Sequence, residues 1–303
     1  MNYYNEIKNE IINNEINKKI KDYSKNRSDL ESKYKIGKLL VDAGKHYGEG
    51  IIKEYSKKLI FEVDKKYSYR TLYRMKQFYI LFSDEKVSAL PTQLSWSHYT
   101  ELLVLKDYDE INYYISISIQ QNLTYRQLRD RIKSKEYERL PGETKKKLIT
   151  KEDNTITDFI KNPILIKNSY NYQEISEKTL KKLILEDIDS FLLELGNGFS
   201  YIGNEYKIKL GDRYNYIDIL LFNYIYNAFV VVELKVTELK SEYIGQIEKY
   251  MNYIDKNIKS INQDKTIGII ICKKDNMYVM EYCSDERIFR TTYNLEEYEN
   301  ELL

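Results

Sequence analysis

The sequence predicts an α+β chain of two domains: an all-α helical half, then an α/β half built on a mixed central sheet. Three observations carry this expectation. From about residue 15 to 135 apolar residues recur at helical spacing, as with Ile51, Ile52, Tyr55, Leu59 and Val63. Residues 141–175 are then polar, mixed in sign, and carry Pro141 and Pro163. Beyond them amphipathic helices alternate with short runs rich in Ile, Val, Tyr and Phe, which is α/β order. The expected organisation is a helical domain over 1–145, a linker over 146–170 and a sheet-bearing domain over 171–303.

Each element has a local reason. Residues 30–43 form a helical pattern that Gly44 should stop, and residues 50–66 form a second. Ser68 can cap the helix YRTLYRMKQFYILF, and Thr124 can cap YRQLRDRIKSKEYERL. Two further helices, SWSHYTELLVL and EINYYISISIQQ, lie between them. In the second half EKTLKKLILEDIDSFLLEL reads as one amphipathic helix ended by Gly196. Strands follow at FSYIGNEYKIKL, YNYIDILLFN and AFVVVELKV, then the helix SEYIGQIEKYMNYID and a buried strand, TIGIIIC.

Composition narrows the class. In 303 residues, 48 basic and 47 acidic side chains nearly cancel, so any affinity for nucleic acid must come from local clusters. Two cysteines, Cys272 and Cys283, fit a reducing compartment better than a disulfide scaffold, and Cys272 lies in an apolar run. The N-terminal MNYYNEIKNEIINNEINKK has no apolar core, and no run of 18 apolar residues occurs. A cytoplasmic protein with no membrane span is the expectation. The 31 tyrosines, with abundant Ile, Lys and Asn, suit an AT-rich genome.

Residues 216–236, YIDILLFNYIYNAFVVVELKV, suit a dry core yet carry Asp218, Glu233 and Lys235. Folded as a hairpin about Tyr224–Asn227, the stretch sets Asn223 against Ala228, Leu220 against Val231 and Asp218 against Glu233. Paired residues share a face, and Lys235 projects from the same face as Glu233. Two ionised carboxylates about 5 Å apart at an effective dielectric of about 20 repel by roughly 3 kcal/mol. A proton, the Lys235 ammonium or a divalent cation would relieve this. Mg²⁺ (or Mn²⁺) suits two carboxylates beside phosphate oxygens. The plainer alternative is a sheet-edge salt bridge between Glu233 and Lys235.

Asp218 followed by Glu233-Leu234-Lys235 at a hairpin end resembles the PD-(D/E)XK nuclease superfamily, with its restriction-endonuclease-like fold. Gln246 and Tyr250, in GQIEKY, match the Q-x-x-x-Y motif of its RecB-like branch. More widely, QLSWSHYTELL, NLTYRQLRDRIKSKEYERL and VVVELKVTELKSEYIGQIEKYMNYID resemble the YhcG-type family of bacterial proteins. That resemblance implies a winged-helix-like DNA-binding or assembly domain followed by a Mg²⁺-dependent DNA nuclease, in genome defence or DNA repair. It makes Asp218, Glu233 and the carbonyl of Leu234 metal ligands, Lys235 the catalytic lysine, and Gln246 and Tyr250 positioning groups. There are departures: Ile217 stands at the motif proline, Glu205 at a usual Gln, and Lys181 at the acid of the first core helix, with Glu177, Glu186 and Asp187 nearby. A non-catalytic DNA-binding or scaffolding protein that keeps the nuclease fold therefore stays open.

In the helical half, residues 65–76 carry Arg70, Arg74 and Lys76 with interleaved tyrosines, and the helix after Thr124 carries Arg126, Arg129 and Arg131. Helix, turn and basic helix suit contact with DNA phosphates, or else a plain solvated face. The Tyr-rich surface could also bury a homodimer contact. Trp96 is expected in the core and His98 as a satisfied, partly buried histidine.

Overall fold

The computed structural model describes residues 2–19, 25–83, 91, 93–150, 152–281 and 283–297. The chain divides into two compact units, Met1–Tyr137 and Glu138–Leu303.

The first unit consists of helices α1 (Tyr3–Lys19), α2 (Lys25–Tyr47), α3 (Ile51–Glu62), α4 (Tyr69–Phe82), α5 (Trp96–Leu102), α6 (Tyr108–Gln120) and α7 (Tyr125–Lys133). Among its described residues there is no strand, so the β-hairpin of a winged helix has no counterpart there. Ile7, Ile11, Ile36, Leu40, Ile52, Leu59, Leu72 and Met75 form its core. Both expected caps form: Ser68 Oγ accepts the Thr71 N–H, and Thr124 makes a reciprocal capping box with Gln127. Gly44 does not stop α2. The helix runs three residues on to Tyr47, and the chain reverses at Gly48, whose φ of 85° only glycine adopts readily. Gly37 answers to a different demand. A β-carbon there would lie 2.2 Å from the Met75 carbonyl oxygen, so the crossing of α2 and α4 requires glycine. Trp96 packs edge-on against Phe78, and His98 is satisfied by Ser95 and the Leu123 carbonyl.

The second unit begins with α8 (Gly142–Thr150), β1 (Ile164–Asn168), α9 (Glu177–Glu186) and α10 (Ile188–Leu195). It continues with β2 (Phe199–Leu210), β3 (Arg213–Asn223), β4 (Ala228–Glu238), α11 (Ser241–Asn257), β5 (Asp264–Lys274), α12 (Met277–Glu281) and β6 (Ile288–Glu297). The strands make one six-stranded mixed sheet in the order β1-β6-β5-β4-β3-β2. The meander β2–β3–β4 is antiparallel, whereas β4, β5, β6 and β1 run parallel.

The expected linker over 146–170 is thus part of this unit, because its ILIKN segment pairs with β6 and closes one sheet edge. Residues 298–303 lie outside the described ones. The helix expected over 177–195 is broken at Asp187, which leaves helical geometry and caps α10 through the Ser190 N–H.

Helices α9 and α10 cover one sheet face through Leu180, Leu183, Ile184 and Phe191. Helix α11 covers the other with Ile247, Tyr250, Met251 and Ile254, spaced 3, 1 and 3 residues apart on one helix face. Cys272 is buried and free, as its apolar run implied. Among the described residues no helix is long and apolar enough to cross a membrane.

Gly37→Ala should lower the stability of the chain by about 1–3 kcal/mol in urea unfolding, because backbone must move to admit the methyl. Gly245→Ala, in α11 with open space around it, should instead raise stability by about 0.5–1 kcal/mol. Equal effects from the two would contradict the close α2–α4 crossing.

Candidate active site

The predicted hairpin register is observed: Asn223 faces Ala228, Phe222 faces Phe229, Leu220 faces Val231 and Ile219 faces Val232. Pairing of β3 with β4 then stops. The Leu234 N–H, next in line, donates instead to Asp218 Oδ2 at 3.0 Å. At this point strict alternation also fails in β3. Ile219 and Leu221 lie in the core under α9 and α10, whereas both Leu220 and Ile217 lie in the core under α11. Asp218 sits at the crossover, and its second oxygen, Oδ1, accepts from Lys181 of α9 at 2.9 Å.

Within β4 alternation holds. Val232 and Leu234 pack toward α9 and α10, and Val231 toward α11, so Glu233 and Lys235 point to the α11 side. Glu233 is 1 % exposed and Lys235 6 %. Glu233 Oε2 accepts from Lys235 Nζ at 3.3 Å and from Gln246 Nε2 at 3.1 Å. Gln246 Nε2 also donates to the Tyr250 hydroxyl at 3.1 Å. Glu233 Oε1 is buried and has no hydrogen-bond partner. Burial first, and then the charge of Asp218, push the Glu233 carboxyl up to about 7.

Burial alone would lower Lys235, but Glu233, Glu177 and Asp218 outweigh it and hold the ammonium above its usual range. Its Nζ lies 3.7 Å from Glu177 Oε2 and 5.2 Å from the centre of the Tyr243 ring. Lys181 behaves alike: burial lowers it, and its bonds to Asp218 and Glu205 raise it further. Glu205, at φ 47°, ion-pairs with Lys181 Nζ at 3.0 Å.

Asp218, Glu233, Lys235, Gln246 and Tyr250 therefore belong to one cluster. Leu234 joins it through its N–H, which donates to Asp218 Oδ2. Sequence reasoning marked Lys181 and Glu205 as departures but did not join them to Asp218, and it missed Tyr243. Tyr243, Gln246 and Tyr250 stand at i, i+3 and i+7, a spacing that places all three on one face of α11.

The basic residues of the helical unit divide into two groups. Arg70 and Arg126 are exposed and Arg74 is half-exposed. Lys76 is committed to Glu49 at 2.5 Å, and Arg129 grips Glu101 with two hydrogen bonds. Arg131, only 11 % exposed, braces Glu136 and Gln121. Those three were expected on phosphates, but their charges are already offset by neighbouring groups.

The site can be tested for a divalent ion. Among the described residues no group of three or more His, Cys, Asp and Glu side chains gathers. Two adjoining carboxylates, one with an orphaned buried oxygen, still suit a hard ion that takes one or two carboxylates and keeps its waters. The donor set fits one such ion.

Comparison with known families decides the classification. Residues 157–302 match the YhcG PDDEXK nuclease domain and residues 6–139 the DUF1016 N-terminal domain. The chain therefore carries a YhcG PDDEXK nuclease domain preceded by a DUF1016 N-terminal domain. It is similar to "Putative nuclease YhcG" of Escherichia coli (strain K12), at 23 % identity over 75 % of this chain and 70 % of that one. Among solved structures it is similar to a repair endonuclease from Pyrococcus abyssi, with TM-score 0.29, 18 % identity, and 40 % of this chain covered. It is also similar to an EndoMS–dsDNA complex, with TM-score 0.28, 18 % identity and 43 % covered. In each case it spans about half (48 %) of the solved chain, and likenesses this shallow carry no weight for activity.

Glu233 links the site to pH. Its folded pKa of about 7 lies above the ordinary 4.5, so the metal-free protein holds this group's stabilisation below 4.5 and loses it as pH rises through 7. Glu233→Gln cannot ionise. In EDTA, urea unfolding should show the stability of Glu233→Gln relative to wild type rising between pH 5 and 8, by on the order of 3 kcal/mol. An unchanged difference would mean that Glu233 is not held neutral.

Proposed function

We propose that this chain is a metal-dependent nuclease that hydrolyses phosphodiester bonds in DNA, with Mg²⁺ (or Mn²⁺) held by Asp218 and Glu233. The observation that carries the reading is the orphaned Glu233 Oε1, a buried acceptor beside a second carboxylate. PDDEXK nucleases generally use divalent metal ions, and the family of this domain supports the same use here. A bound ion would polarise the scissile phosphate and lower the pKa of a coordinated water.

The protein supplies the rest. Gln246 fixes the Glu233 carboxylate by donating to Oε2, and Tyr250 restrains Gln246 in turn. Lys235, kept charged by the surrounding acids, can hold a water for attack and offset charge growing on the phosphate. Tyr243 and Glu177 limit where its ammonium can swing. In the helical unit Arg70, Arg74 and Arg126 remain the candidates for phosphate contact.

Lys181 favours a second reading. Its ammonium already occupies Asp218 Oδ1, where a cation would be expected to bind. A protein that binds DNA without cutting it would then keep the fold and lose the reaction.

A plasmid-nicking assay separates the two. With Mg²⁺ or Mn²⁺ the wild-type protein should nick, EDTA should stop it, and Asp218→Ala, Glu233→Ala and Lys235→Ala should each lose at least about a hundredfold in rate. Salt-sensitive binding without cleavage in any metal would support the second reading.

The role of Lys181 is open to a direct measurement. Lys181→Gln removes the competing charge, so calorimetry with Mn²⁺ and no DNA should show affinity raised on the order of tenfold. Unchanged affinity would mean that Lys181 does not compete for the acid.

A further inference from the structure

Beyond Asp218 the β2–β3 hairpin continues as a two-stranded arm, because β4 pairs with β3 only from Ile219 onward. Along this arm Lys207 pairs with Tyr216 and Lys209 with Tyr214, so these four side chains share one face. The other face carries Tyr206, Ile208, Leu210 and Ile217, which pack into the core beneath α11. The first face therefore points away from that core, and all four of its residues are exposed. Tyr214 is 57 % exposed and Tyr216 53 %. Lys207 Nζ stands 3.8 Å from the centre of the Tyr214 ring, a cation–π contact on the diagonal of the ladder. Arg213 adds a further exposed cation at the tip, beside the exposed Asp212. At the inner end Glu205 is already paired with Lys181.

Two tyrosine rings alternating with two ammonium groups are what a nucleic-acid strand with unpaired bases requires. The rings offer flat faces for stacking, and the lysines, two residues apart and so about 7 Å from each other along the strand, can meet successive phosphates. A duplex hides its base faces and would use only the cations. We propose that the Lys207–Tyr216 and Lys209–Tyr214 ladder binds single-stranded DNA, or a locally unpaired strand, and leads it toward Asp218. The direction follows from the chain itself, since Tyr216 lies two residues from Asp218. This deepens the nuclease reading by naming the substrate form, and its binding test does not depend on cleavage.

The test is fluorescence anisotropy of the full chain in EDTA, with a labelled 20-nucleotide thymidine strand and a labelled 20-base-pair duplex. Tyr214→Ala/Tyr216→Ala should weaken single-strand binding about tenfold or more and duplex binding much less. Tyr214→Phe/Tyr216→Phe, which keeps the rings, should bind the single strand like wild type. Lys207→Gln/Lys209→Gln should lower the slope of log affinity against log salt by about 1.4 for the single strand. Matching thermal midpoints would show that the variants are folded. Wild-type affinity in both double variants, or equal losses on strand and duplex in the Tyr→Ala pair, would overturn the proposal. Wild-type protein that binds the strand through these residues but nicks nothing in any metal would overturn the nuclease reading and leave this one standing.

Discussion

The site rests on one hydrogen bond, from the Leu234 N–H to the carboxylate of Asp218. Where β3 leaves β4, a central strand would otherwise present an N–H with no partner in a mostly dry interior, a loss of about 1–3 kcal/mol. Asp218 supplies the missing acceptor and is thereby fixed beside Glu233, the neighbour of Leu234 in β4. The same bond lets β3 turn its side chains over at this residue, so that Ile217 and Ile219 serve opposite cores. It also frees the outer part of β2–β3 to stand clear of β4 as an arm. Strand separation, the acid pair and the exposed ladder are consequences of one local substitution of side chain for backbone.

The charges around this bond fall into two groups, joined by Glu177 of α9, whose carboxylate lies 3.7 Å from Lys235. On the α9 side Lys181 bridges Asp218 and Glu205. On the α11 side Lys235 and Gln246 share Glu233 Oε2 and leave Oε1 unmet. Buried ions are costly unless paired, and Glu233 responds by holding its proton to near neutral pH. A divalent ion would meet the unmatched group at once and meet the other in competition with a lysine. A family acid in place of Lys181 would remove that competition and add a ligand. The chemistry of the donor set is consequently that of a single ion.

The sequence made the hairpin legible because its turn and its two apolar runs admit one register that keeps Ile219, Leu221, Val230 and Val232 inside. The caps at Ser68 and Thr124, buried Cys272 and satisfied His98 were readable for similar local reasons. Edge elements were not. β1 is five residues long and follows Pro163, and β6 interleaves Arg, Thr and Asn with its buried residues, so neither shows a strand pattern by itself. Their pairing partners are far along the chain, and tertiary contact decides them. Simple alternation placed Asp218 opposite Glu233 but could not reveal the turnover of β3 or the reach of Lys181 from α9. Likewise, composition marked Lys76, Arg129 and Arg131 as basic but could not show the acids that neutralise them.

The most direct test of this account is a crystal of the protein soaked in Mn²⁺ and measured at the manganese absorption edge. The account predicts one anomalous peak at the carboxylates of Asp218 and Glu233, the residues that would hold the ion. A peak elsewhere, or none at a Mn²⁺ concentration that supports cleavage, would contradict it.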